Sequence, residues 1–127
     1  MTENGITGVV VDACVQIHKE LGPGMLESAY EAVLAYELEL RGLKIQRQVP
    51  MSLIWKDMLV KDSFRADIVV EGKVILELKS VDMVLMVHKK QVLTYLKVSG
   101  LKLGLLLNFG EEIMKHGIVR LVNGLEE

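Results

Sequence analysis

Residues 64–80 read FRADIVVEGKVILELKS. Two apolar runs, Ile68-Val69-Val70 and Val74-Ile75-Leu76, flank Glu71-Gly72, which predicts two short strands joined by a tight turn. Three charged residues interrupt this buried pattern: Asp67 on the first strand, Glu77 and Lys79 on the second. Side chains alternate faces along a strand, so Glu77 and Lys79 point the same way, about 7 Å apart. An antiparallel partner can set Asp67 beside Glu77 on that face. Two carboxylates and an amine on a buried sheet are costly unless a cation or substrate uses them, so these residues are expected to form a site. The turn decides the register. A two-residue loop at Glu71-Gly72 places Asp67 opposite Leu76 and sends Glu77 to the other face. A three-residue loop of Glu71, Gly72 and Lys73 pairs Asp67 with Glu77. Gly72 suits the left-handed position that such loops need, so the longer loop or a bulge is expected.

Outward from this hairpin, the chain divides into helices before it and mixed elements after it. Thr7 to Leu21 places Val10, Cys14, Ile17 and Leu21 at helical spacing, and Gly22-Pro23-Gly24 stops the run. His18 falls in the last turn and reads as a capping or core-edge residue. A second helix is expected from about Met25 to Arg41, closed by Gly42, with a stripe of Leu26, Ala29, Tyr30, Val33, Leu34, Leu38 and Leu40. Glu27 lies at the N-terminal end of this helix, where a carboxylate interacts well with the helix dipole.

Lys44 to Trp55 alternates as a strand, Lys56-Asp57 turns it back, and a further strand from Met58 leads into the hairpin. The segment Val81-Asp82-Met83-Val84-Leu85-Met86-Val87 is apolar without a helical stripe. It reads as a covered crossover loop or a dimer contact, and its methionines favour the contact. His88 to Ser99 is expected as a third helix with Val92, Leu93, Tyr95, Leu96 and Val98 inward. Lys102 to Asn108 reads as a buried strand. A helical turn near Glu111 to Lys115 and an edge strand from Ile118 to Val122 follow. The order is α-α-β-β-β-α-β plus a tail, an α/β fold with a mixed sheet flanked by helices in a single domain over residues 1–127.

The chain has 127 residues, half of them hydrophobic, with mean hydropathy +0.32. That surplus points to a homo-oligomer or a partner surface. No apolar run approaches the ~20 residues that span a bilayer, and the opening MTENGITG has no features of a secretory signal. The single cysteine, Cys14, excludes an internal disulfide framework and is expected in a buried helix position. A cytoplasmic setting is the default expectation. The net charge of −2 and pI of about 5.9 provide no global basic field for non-specific nucleic-acid binding, though a local basic groove remains compatible with them. No G-x-G-x-x-G or P-loop is present. His18, His88 and His116 lack ligand spacing, which counts against a histidine metal site.

Asp67, nine residues, then Glu77-Leu78-Lys79 resembles the active-site motif of the PD-(D/E)XK nuclease superfamily. Gly24-Met25-Leu26-Glu27-Ser28-Ala29-Tyr30 resembles the motif for which the GxxExxY protein family is named. His18-Lys19-Glu20-Leu21-Gly22-Pro23-Gly24 and Arg65-Ala66-Asp67 are similar to the same family, and His88 also matches it. Gln91-x-x-x-Tyr95 resembles the extra motif of the superfamily's recombination-exonuclease branch. These motifs cover roughly residues 7 to 122. The resemblance implies a restriction-endonuclease-like core and hydrolysis of DNA or RNA phosphodiesters. It implies Mg²⁺ or Mn²⁺ held by Asp67 and Glu77, with the Leu78 carbonyl and Glu27 as further ligands. Lys79 would orient the attacking water or neutralise charge on the phosphorus centre, and Gln91 and Tyr95 would position substrate or brace the site.

A rival reading is a catalytically silent nuclease-fold module that binds nucleic acid or a protein partner. The acidic pI and few aromatics favour it. The full set of Glu27, Asp67, Glu77 and Lys79 favours the enzyme, because a retired site has no physical reason to keep buried charges that repel. A homodimer through residues 81–87 is a further expectation.

Overall fold

A computed structural model describes residues 1–126. Helix α1 (Glu3–Leu21) is followed by α2 (Glu27–Leu40), then strands β1 (Ile45–Trp55), β2 (Met58–Val70) and β3 (Val74–Lys79). Helix α3 (Met86–Ser99) leads to β4 (Leu103–Asn108), a 3-10 turn (Met114–Gly117) and β5 (Ile118–Val122). The strands form one mixed sheet in the order β1-β2-β3-β4-β5. All neighbouring strands are antiparallel except β3 and β4, which run parallel across the α3 crossover. The observed order matches the expected α-α-β-β-β-α-β with its tail.

Alternation along the central strands divides the apolar side chains between two cores. Ile68, Val70, Val74, Leu76 and Leu78 pack with Leu103, Leu105 and Leu107 against α1 and α2. Val69 and Ile75 pack with Leu96 and the half-buried Tyr95 of α3. β3 and β4 are buried along nearly their whole lengths, as expected of strands covered on both faces.

Helix α1 starts four residues before the expected Thr7, because the Thr2 hydroxyl accepts from the Gly5 N–H and caps it. Its buried face is Ile6, Val10, Ala13, Cys14, Ile17 and His18, whereas Leu21, expected in the stripe, is exposed. Cys14 is fully buried, and desolvation pushes its thiol up to about 12. The α2 stripe also differs from expectation. Tyr30, Glu31, Leu34, Ala35 and Leu38 are buried, while Leu26, Val33 and Leu40 lie exposed. In the rotated arc Glu31 turns inward and pairs with Arg47 on β1, a partner that hydrophobicity alone does not foresee.

The loop after β3 is held by one buried amide. Asn108, at 0% exposure, accepts from the Val81 N–H at 3.0 Å and the Gly110 N–H at 3.0 Å, and donates to the Val81 carbonyl at 2.9 Å. Gly110 lies so close to the Val81 backbone that any Cβ would collide with its carbonyl oxygen. Most of the 81–87 segment is not covered: Met83, Leu85, Met86 and Val87 are exposed, with Val84 half-buried. That outcome removes the covered-crossover alternative.

Replacing Asn108 by Ala leaves the Val81 and Gly110 N–H groups without their acceptor. Each such orphan costs about 1–3 kcal/mol. Urea denaturation of Asn108→Ala is therefore expected to show a midpoint well below that of the wild type with an unchanged slope.

Candidate active site

The turn between β2 and β3 is the three-residue one. Val70 pairs with Val74, Val69 with Ile75 and Ile68 with Leu76, leaving Glu71, Gly72 and Lys73 as the loop. Gly72 takes φ +64°, and Glu71 is also left-handed at 54°. Glu71 is tied down by the edge of β1: its N–H donates to the Lys44 carbonyl at 2.9 Å, and its carboxylate accepts from the Lys44 N–H at 2.6 Å.

Continued by one step, this register sets Asp67 opposite Glu77. The backbone ladder, however, stops at Ile68 and Leu76, and side chains take over. The Asp67 N–H donates to Glu77 Oε1 at 3.1 Å, and the Leu78 N–H donates to Asp67 Oδ2 at 2.9 Å. The two carboxylates thus pair the backbone amides where β2 and β3 part. Glu77 is 7% exposed, and its carboxyl is pushed up to about 8, first by burial and then by the Asp67 charge; its hydrogen bond from the Asp67 backbone and the Lys79 ammonium pull the other way.

Lys79 is the half-buried last residue of β3, and its carbonyl accepts from the Phe109 N–H at 2.8 Å. Its charge acts on both Glu77 and Glu27. Glu27, exposed at the start of α2, lies within electrostatic reach of Lys79 and Asp67. Its carboxyl is raised by desolvation, lowered by Lys79, raised by Asp67 and Glu31, and lowered by His88. Three links fix the helix end that carries it. Ser80 Oγ donates to the Met25 carbonyl at 2.8 Å, Tyr30 Oη donates to the Gly22 carbonyl, and the Met25 N–H donates to Tyr30 Oη at 3.2 Å. Tyr30 is fully buried and stacks on Phe109 at 4.5 Å between ring centroids. The spacing Gly24-x-x-Glu27-x-x-Tyr30 therefore has a local cause: the tyrosine, one turn into the helix, anchors the loop that begins it. His18 extends the same support, with Nε2 2.7 Å from the Glu111 carbonyl, and this is the core-edge role expected of it.

Tyr95 of α3 stacks on Phe64 of β2 at 4.2 Å between ring centroids, the rings nearly parallel. Its phenol is raised by burial and by the Glu77 and Asp67 charges, so it lies within electrostatic reach of the pair. Gln91, one turn before it, is exposed and makes no hydrogen bond among the described residues. His88 caps α3, its Nδ1 accepting from the Leu85 N–H at 3.1 Å.

Three participants were not anticipated. Glu31 is buried at 6% exposure and accepts from Arg47 Nε at 3.0 Å and Gln48 Nε2 at 2.6 Å. Gln48 also reaches Asp67 Oδ1 at 3.4 Å, and its backbone is left-handed at φ 50°. The helical spacing of Glu27 and Glu31 was a usable signal, since residues four apart share a face. Nothing in the sequence around Gln48 marks its backbone or its bridging role.

The all-oxygen donor set of Asp67, Glu77 and Glu27 suits a hard divalent cation, and each of Asp67 and Glu77 keeps acceptor capacity beyond its one bond to a backbone amide. Among the described residues, no three carboxylate, thiolate or imidazole groups converge closely enough to hold a metal ion as they stand.

A model of the PD-(D/E)XK nuclease superfamily matches residues 4–121, and the chain belongs to that superfamily. One similar solved structure, titled "Crystal structure of SSO0001", superposes with TM-score 0.47 at 16% identity, covering 95% of this chain and 79% of that one. No curated protein matches the chain. No helix among the described residues is long and apolar enough to cross a membrane.

Glu77 gives the site a pH dependence. Its folded carboxyl titrates near 8 against 4.5 for the ordinary group. Between these values the folded state binds more protons than the unfolded one, so stability falls as pH rises. The contribution is complete below about 4.5 and lost above about 8. Denaturation in chelator across this window is expected to show declining wild-type stability, with a flatter profile in Glu77→Gln.

Proposed function

We propose that this chain is a metal-dependent phosphodiester hydrolase acting on DNA or RNA. The observation that carries the reading is the pair of carboxylates at the parting of β2 and β3, one of them almost fully buried, beside Lys79. Burial and the neighbouring Asp67 hold the Glu77 carboxyl well above the usual range, and a divalent cation between the two acids would relieve that strain. Asp67 and Glu77 would hold Mg²⁺ or Mn²⁺, with Glu27 and the Leu78 carbonyl as further ligands. When bound, such an ion lowers the pKa of a coordinated water and offsets charge on the phosphate.

The chain's own residues do the rest. Lys79 carries a positive charge that acts on both Glu27 and Glu77, and in this reading it orients the attacking water or neutralises charge building on the phosphate oxygens. Asp67 and Glu77 keep their orientation through the amides they accept from. Tyr95 is braced by Phe64 within electrostatic reach of the pair, while Gln91, with no hydrogen bond among the described residues, is available to the substrate. The Gly24–Tyr30 spacing, with its anchored helix start, supports placement in the GxxExxY branch. The exposed residues 83 and 85–87 support a homodimer contact there.

The absence of three converging ligands among the described residues favours the second reading, a silent module that binds nucleic acid or a protein partner. Calorimetric titration with Mg²⁺ and Mn²⁺, run beside cleavage of labelled single- and double-stranded DNA and RNA, separates the two. The wild type is expected to bind metal and cleave. Asp67→Ala should lose metal binding, and Lys79→Ala should keep it while losing about 10²–10³-fold in rate, the usual cost of removing one stabiliser of transition-state charge. No binding at millimolar metal would sink the hydrolase reading.

A further inference from the structure

The chain's near-neutral total hides a division of charge between its two faces. Helix α2 carries Glu27, Glu31, Glu37 and Glu39 and no basic residue. Helix α1, in the same layer, carries Glu3, Asp12 and Glu20 against Lys19. Helix α3, on the opposite face of the sheet, carries Lys89, Lys90 and Lys97 and no acidic residue. The three ion pairs given by the described residues, Arg41 with Asp12, Arg41 with Glu37 and Arg47 with Glu31, all engage carboxylates of the α1/α2 layer. Lys90 and Lys97 are exposed and have no carboxylate in ion-pairing range among the described residues.

The position of these lysines follows from helical geometry. Val92 and Leu96 form the buried face of α3, so Lys90, Thr94 and Lys97, spaced four and three apart, lie together on the outward face. Lys97 lines a cleft with Val98 and with Ser52, Leu53 and Ile54 of β1. The cleft therefore runs between α3 and the β1–β2 hairpin. Phe64 and Ala66 of that hairpin pack on the α3 side, Phe64 on Tyr95 and Ala66 in the Leu96 cluster, and Tyr95 lies within reach of the Asp67 and Glu77 charges. Gln91, exposed, lies one turn before Tyr95 on α3. Arg65, between Phe64 and Ala66, points to the reverse side of β2 by the pleat and takes no part in this surface.

We propose that the cleft between α3 and the β1–β2 hairpin, with Lys97 on its wall and Lys90 two turns earlier on the outward face of α3, receives the phosphodiester backbone of a nucleic-acid strand and leads it past Gln91 and Tyr95 to Asp67 and Glu77. This deepens the hydrolase reading and rests on it. The occupant follows from charge complementarity: α3 presents Lys90 and Lys97, which have no ion-pair partner among the described residues, while the carboxylates of the α1/α2 layer repel a polyanion. The lysines hold phosphates along the strand without reading its sequence, the role suited to a flexible point charge.

The test is fluorescence anisotropy with labelled ~20-mers of single- and double-stranded DNA and RNA, in Ca²⁺ and at several salt concentrations, paired with cleavage in Mg²⁺. Variants are the double substitution Lys90→Glu with Lys97→Glu, and Lys19→Glu as a charge reversal on the acidic layer. Circular dichroism verifies that each is folded. The α3 double variant is expected to bind at least about tenfold more weakly at low salt, with a salt slope shallower by about 1 for each phosphate that a lysine no longer neutralises. Lys19→Glu should change binding less than about twofold. An equal weakening in both variants, or none in the α3 variant while the wild type binds and cleaves, would overturn the surface and leave the hydrolase standing. Wild-type binding that depends on the α3 lysines but brings no cleavage would keep the surface and overturn the hydrolase. A wild type that neither binds nor cleaves any of the four substrates would overturn both.

Discussion

The whole site depends on the place where β2 and β3 stop pairing. Up to Ile68 and Leu76 the two strands form an ordinary antiparallel ladder. Beyond that point β2 resumes on β1 at Ala66 and β3 continues on β4 through Glu77 to Lys79, but the two no longer pair with each other. Amides released by such a fork are costly in a buried sheet. Here the carboxylates of Asp67 and Glu77 accept from them. The same two groups that close the fork thereby stand facing one another, with Glu77 held well above the usual carboxylate range. Structural necessity and chemical potential coincide in these two side chains.

Around that fork, the neighbouring elements are aimed by contacts with little direct part in chemistry. Ser80, just beyond Lys79, ties the end of β3 to Met25 at the start of α2. Tyr30 locks the same loop from inside the core, and its stack on Phe109 links it to the end of β4. Asn108, the last residue of β4, holds the chain that leaves β3. Glu27, Lys79 and the route into α3 are thus placed by one connected set of buried polar bonds. Glu31, Arg47 and Gln48 form a second set that straps α2 to the sheet edge and reaches Asp67.

Much of this was legible from residues 64–80, because period-two alternation, a glycine at the left-handed turn position and charges inside an apolar run are local properties. They sufficed for the three-residue turn and for setting Asp67 opposite Glu77. The α2 stripe was not legible to the same degree. Leu26, Val33 and Leu40 are exposed although they are more apolar than Glu31 and Ala35, the residues buried instead, and the partner of Glu31 is Arg47, sixteen residues later. The segment 81–87 likewise lacked periodicity, and composition alone did not tell a covered loop from an exposed one.

The sequence by itself determined the element order, the strand register at the hairpin and the candidate acid pair, since each follows from neighbours within a few residues along the chain. Only the tertiary structure decided that the strands part at Asp67, that Glu31 is buried against Arg47, and that the lysines of α3 face away from the acidic helices. These depend on which elements pack on which side of the sheet. Packing is a competition among long-range contacts that no local pattern encodes, and here its outcome gathers charges that lie far apart in the chain.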